Sequence, residues 1–125
     1  MKQFIFISYF LLLFSCKNGK PLNVESFRTG TFEIPADDNK SFGKTSFTRL
    51  GNLQIEQYGE RTDSLFIEWK DNFNYTLKML HPKSALDKEP IRVRITGVKA
   101  NSYNFEAIVG HSNFKQKGTV YKISD

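Results

Sequence analysis

Between Leu65 and Ile95 the chain alternates apolar and polar residues with a period of two. Leu65, Ile67 and Trp69 share one face with Glu68 and Lys70 opposite; Phe73, Tyr75, Leu77 and Met79 oppose Asn74, Thr76 and Lys78; Ile91, Val93 and Ile95 oppose Arg92, Arg94 and Thr96. Each run predicts a half-buried antiparallel strand. Weaker alternation runs through Thr29 to Ile34, Phe42 to Arg49, Leu53 to Tyr58, Tyr103 to Val109 and Gly118 to Ile123, which brings the predicted strands to eight. The intervening residues are turn formers: Pro35 to Lys40, Gly51-Asn52, Gly59-Glu60, Asp71-Asn72, Lys99 to Ser102 and Gly110 to Asn113. Only "HPKSALDKEP", His81 to Pro90, interrupts this rhythm, and it predicts one short helical turn near 82–89, entered at Pro82 and stopped at Pro90.

Short strands joined by tight turns predict an all-β antiparallel meander, and eight strands are enough for it to close around side chains or one small ligand. A small lipocalin-like barrel is the expected architecture, with a β-sandwich or a curled open sheet as alternatives. Gly30-Thr31-Phe32 resembles the Gly-x-Trp opening of lipocalins with Phe in place of Trp. Trp69, Phe73, Tyr75 and Phe105 fall in phase with Leu, Ile and Val, so their expected role is packing, not the stacking of nucleic-acid bases.

Ahead of the strands the pattern changes. Lys2 is followed by an apolar run from Phe4 to Phe14, broken only by Ser8, which is the layout of a secretory signal peptide and too short for a bilayer-spanning helix. Leu13, Phe14, Ser15 and Cys16 resemble the bacterial lipobox, in which cleavage before the cysteine follows transfer of a diacylglycerol to its thiol. That resemblance implies cleavage between Ser15 and Cys16 and a membrane anchor on Cys16, since two acyl chains hold a protein stably where one does not. Cys16 is the single cysteine, so no disulfide supports the domain.

The expected organisation is a signal peptide over 1–15, a lipidated N-terminus and flexible tether over 16–27, and one β domain over 28–125. Removing residues 1–15 leaves 125 − 15 = 110 residues, and because Lys2 is the one charge lost, the net charge becomes 17 − 13 = +4. Lys17 follows the cysteine where some bacteria place an inner-membrane retention aspartate, which favours the outer membrane.

A longer resemblance is carried by "FRTGTF" (27–32), "TSFTR" (45–49), "IEWKDNFNYTLKMLHPK" (67–83), "SYNFEAIVG" (102–110) and "KQKGTVYKI" (115–123). Together they resemble small flavobacterial (Bacteroidota) lipoproteins of uncharacterised function. Some members of that family carry a transferred DNA topoisomerase IV label, which a tethered chain of this size contradicts, having no room for an ATPase domain and a cleavage core.

Candidate chemistry is sparse. His81 and His111 lie in predicted turns without the partners of a metal site. Ser64, Ser84 or Ser112 with either histidine and Asp63 or Asp87 would compose a triad, but none occupies a nucleophile elbow. Asp37-Asp38-Asn39 lacks the further ligands of a calcium loop. No cofactor motif is present, no catalytic residue is assigned, and an enzyme is not expected. Arg92 and Arg94 share one strand face and form a small basic patch suited to an anionic partner. The sequence therefore points to a lipid-anchored envelope protein whose barrel binds a small, largely apolar ligand. The alternative is a structural or accessory module that binds an envelope protein, and a hydrolase without a recognisable motif ranks third.

Overall fold

The computed structural model describes residues 24–36, 43–113 and 115–125. Cys16, the cleavage point after Ser15, and Asp37-Asp38-Asn39 lie outside the described residues. Eight antiparallel strands form a closed barrel in meander order: β1 (Gly30–Ile34), β2 (Thr45–Leu50), β3 (Leu53–Tyr58), β4 (Arg61–Asp71), β5 (Asn74–Met79), β6 (Ile91–Val98), β7 (Ser102–Val109) and β8 (Lys115–Ser124). The circle closes where β1 pairs with β8 through Thr31, Phe32 and Glu33. Every strand predicted from alternation is present, and the helical interruption is a single 3-10 turn, Leu86–Lys88.

Two details differ from expectation, and a third is not legible in the sequence. Phe73, in phase with the core residues of β5, is 47% exposed. The cause is local: the Asp71 carboxylate accepts the Phe73 backbone N–H at 2.8 Å and the Asn74 amide at 3.0 Å, an Asx arrangement that pulls the turn onto Asn72-Phe73 and lifts the ring off the wall. The second difference is the tether. Val24–Arg28 is a 3-10 helix, and Phe27 is buried in the core with its ring 5.1 Å from that of Tyr103, so these residues belong to the barrel and not to a flexible leader.

The third concerns β3. Leu53 and Ile55 point outward, and Gln54 and Glu56 point in. The two-residue turn Gly51-Asn52, with Gly51 at φ +60, sets the register Arg49↔Gln54 and Phe47↔Glu56. Residues directly opposite in an antiparallel pair share a face, so the inward direction of Phe47 and Arg49 imposes the same direction on Gln54 and Glu56. The pairs Gln54↔Leu65 and Glu56↔Asp63 continue that face onto β4.

The two ends of the barrel are unlike. One carries the short turns at 51–52, 72–73 and 99–101 and is closed by the 3-10 helix. Three cationic side chains secure this cap: Arg49 Nη1 donates to the Phe27 carbonyl at 2.8 Å, Lys122 Nζ to the Ser26 carbonyl at 2.7 Å, and Arg28 Nη2 to Asn72 Oδ1 at 3.0 Å. The last carbonyls of a helix have no partner within it, and these donors supply one for two of them. At the other end lie the Gly59-Glu60 turn and the longer connections around 80–90 and 110–113. The core between them is formed by Phe32, Phe47, Leu65, Ile67, Tyr75, Leu77, Val93, Ile95, Phe105 and Val120.

Candidate functional site in the barrel interior

Arg49 reaches into the barrel from the turn-ward end of β2, near the closed end, and is only 1% exposed. A guanidinium stays charged in a protein, and burying it costs several kcal/mol unless its donors are met. Three of its five N–H donors meet neutral groups: Nε donates to Gln54 Oε1, Nη1 to the Phe27 carbonyl and Nη2 to the Tyr103 hydroxyl, each at 2.8 Å. The guanidinium carbon also lies 4.8 to 5.8 Å from the ring centroids of Phe32, Phe47, Trp69, Tyr75 and Tyr103. Aromatic faces present negative quadrupoles to a cation, and the effect grows where water is absent. Among the described residues Arg49 makes no salt bridge. Tyr103 joins Tyr75 through a hydroxyl contact of 2.8 Å, and its own ionisation is held well above the ordinary phenol value, first by burial and then by Tyr75, against the pull of Arg49.

Because Arg49 occupies Gln54 Oε1, the amide nitrogen of Gln54 must face away from it. That nitrogen donates to Glu56 Oε1 at 2.7 Å. An Arg49–Gln54–Glu56 chain thus runs along the inner wall and ends on a carboxylate. Burial lifts the Glu56 pKa above its ordinary value; the Gln54 hydrogen bond opposes this, Asp63 adds to it, and Arg49 opposes it. Asp63 sits opposite Glu56 and is paired with Arg61 at 2.8 Å.

Glu56 lines an interior cavity of about 190 Å³. Its walls include Phe47, Leu77, Val93, Phe105, Ala107 and Val120, and Gln54, Gln116 and Tyr75 also line it. Among the described residues Glu56 is its one charged lining group. A cavity of about 150 Å³ lined by apolar side chains admits a benzene ring, so this space suits a molecule of roughly that size with one polar end. Ile34, Thr45, Phe105 and Gln116 also border a second space of about 500 Å³ beside the β1–β8 seam. Gly118 faces Phe105 there so closely that a Cβ on it would lie 2.9 Å from the ring, which leaves the ring its place between the two spaces.

The residues singled out from sequence are dispersed. Arg92 and Arg94 lie on the outer wall, where with Lys70 and Lys115 they border a groove of about 440 Å³. Arg94 is partly neutralised by Glu106 at 3.2 Å, and Arg92 donates to the Gly110 carbonyl at 3.1 Å. His81 and His111 are both exposed. The Asp87 carboxylate accepts from Arg61 and the Lys83 N–H, the Asp63 carboxylate pairs with Arg61, and Ser84 Oγ accepts the Asp87 N–H. Among the described residues neither histidine hydrogen-bonds to a serine or an acid, and no group of three His, Cys, Asp or Glu side chains converges as metal ligands.

Arg49, Gln54 and Glu56 were not singled out from sequence. One signal existed: Arg49 has the parity of Phe47 on β2 and so falls on the core face. Gln54 and Glu56 gave no comparable sign, since Leu53 and Ile55 between and beside them are the apolar residues of that strand. No family model, curated protein or solved structure matches this chain.

Proposed function

We propose that this is a lipid-anchored protein of the cell envelope, with outer-membrane placement favoured, whose barrel takes one small and largely apolar ligand into its interior. The reading rests on one observation: the cavity joins apolar walls to a few converging polar groups, Gln54, Glu56 and Gln116, as small-molecule sites do. The anchor is argued from Leu13 to Cys16, and the described residues contain no helix long and apolar enough to cross a membrane. The cap at Val24–Arg28 is where the segment bearing Cys16 meets the barrel, at the closed end.

A second reading, an accessory module for another envelope protein, is favoured by one feature. On the outer wall of β2, β3 and β4 the side chains of Leu50, Ile55 and Phe66 are 77%, 41% and 39% exposed, and they cluster about Leu53 through the pairs Leu50↔Leu53 and Leu53↔Phe66. Such a cluster suits a protein partner. The deciding experiment is intact mass of the protein purified from its native membrane beside Cys16→Ala, with mass spectrometry of co-purifying molecules. The expected result is a chain that begins at an acylated Cys16 and carries a small molecule. An unmodified Cys16 overturns the anchor, and a co-purifying protein with no small molecule overturns the ligand reading in favour of the module.

A further inference from the structure

The polarity of the interior distinguishes among small apolar molecules. This inference rests on the ligand-binding reading above and names the class of ligand. An anionic ligand taken into an apolar interior needs a cation or several donors there to compensate its charge. The buried cation of this barrel is not free: Arg49 is shut behind Gln54, spends its three nitrogens on Gln54, Phe27 and Tyr103, and does not line the cavity. What the cavity presents instead is the Glu56 carboxylate, held in place by the Gln54 amide.

We infer that the interior of the barrel is a site for a small apolar primary amine, its ammonium group on the Glu56 carboxylate and its hydrocarbon body against Phe47, Val93, Phe105 and Val120. A carboxylate has about four lone-pair positions. Gln54 is the one hydrogen-bond donor to Glu56 among the described residues, so acceptor capacity remains for a ligand. An incoming ammonium supplies donors and compensates a desolvated negative charge, whereas a fatty acid would add a third carboxylate to Glu56 and Asp63. The volume of about 190 Å³ admits an aromatic ring with a short aminoalkyl arm.

Three probes of similar size test this: 2-phenylethylamine, 2-phenylethanol and phenylacetate. Each is titrated calorimetrically into the full chain held in lipid nanodiscs, with empty discs as the blank. The amine is expected to bind at least about tenfold more tightly than the alcohol, which is the range for a hydrogen bond to a charged group, and the carboxylate most weakly. Glu56→Gln keeps the shape of the side chain and an acceptor for Gln54, and it is expected to bring the amine within about twofold of the alcohol. Ala107→Leu fills the cavity from β7 and is expected to weaken both together. Equal binding of amine and alcohol by the unaltered chain overturns the amine assignment and leaves the binding reading standing, as does a preference that survives Glu56→Gln. Amine binding that survives Ala107→Leu places the amine outside the cavity and overturns the assignment too. If none of the three probes binds, the ligand-binding reading fails and the amine assignment falls with it.

Discussion

Tyr103 and Tyr75 touch each other by their hydroxyls, yet their removal should have very different consequences. Tyr103 accepts from the Arg49 guanidinium at 2.8 Å and shares a second contact of 2.8 Å with Tyr75, so Tyr103→Phe breaks two bonds and leaves a buried charge one acceptor short. A hydrogen bond to a charged group contributes about 1.5–3 kcal/mol and a neutral one about 1 kcal/mol, so the loss is about 3 kcal/mol. Tyr75→Phe leaves the bond from Arg49 in place; it breaks the neutral contact and removes a secondary electrostatic support of Arg49, and should cost about 1 kcal/mol. In a domain of this size each kcal/mol moves the melting temperature by about 4–8 °C, which predicts a fall of about 15 °C for Tyr103→Phe against about 5 °C for Tyr75→Phe. Urea denaturation followed by tryptophan fluorescence measures both, with Trp69 inside the same cluster as the reporter. In the double variant, Tyr75→Phe should add less than it costs alone, because one partner of its hydroxyl is already gone and only its support of Arg49 is left to lose. Equal costs for the two single variants, or full additivity in the double one, would refute the idea that Arg49 is held through Tyr103.

Glu56→Gln should stabilise the fold near neutral pH. The folded carboxyl titrates above its ordinary value of 4.5, so between the two values the native state holds a proton that the unfolded state has lost, and stability falls as pH rises through that interval. Thermal melts should therefore show the variant ahead at pH 7 with the gap closing toward pH 4; a gap independent of pH contradicts the burial argument. Gly118→Ala sets a methyl 2.9 Å from the Phe105 ring and should cost about 1–3 kcal/mol by overpacking, while driving the ring toward the cavity and weakening probe binding. Arg94→Ala removes a solvent-exposed pair with Glu106 and should cost less than about 1 kcal/mol; a larger loss by denaturation would show the outer groove to be part of what holds β6 to β7.

The arrangement of polar groups explains how a small barrel without disulfides keeps a cavity. The closed end is filled by Phe27, Tyr103 and Trp69 around Arg49, and the cation draws the cap, the β2–β3 hairpin and β7 together through three directional bonds. With that end rigid, the remaining interior need not be packed to completion, and the polar chain that begins at Arg49 delivers a carboxylate to the part left empty. Stability and site are then two ends of one network, which is why substitutions at Tyr103 and Glu56 are expected to act in opposite directions.

The eight strands, their meander order and most of the core were legible in the chain alone, because period-two alternation and turn residues are local signals that burial of one face enforces. The alternation also placed Arg92 and Arg94 on the outer wall, opposite Val93 and Ile95. The tertiary structure alone decided three things. Phe27 became core because the 3-10 helix folds over the barrel end, and nothing in a lone aromatic after a polar stretch announces that closure. Phe73 left the core because an Asx bond shifted a turn by one residue. Above all, the phase of β3 was set by the Gly51-Asn52 hairpin and by pairing to β2 and β4, not by its own residues, of which Leu53 and Ile55 face outward. A strand's faces belong to the register of the sheet, and in a closed barrel that register is shared by every neighbour. For that reason Gln54 and Glu56, the residues that give the cavity its chemistry, are visible only once the barrel is closed.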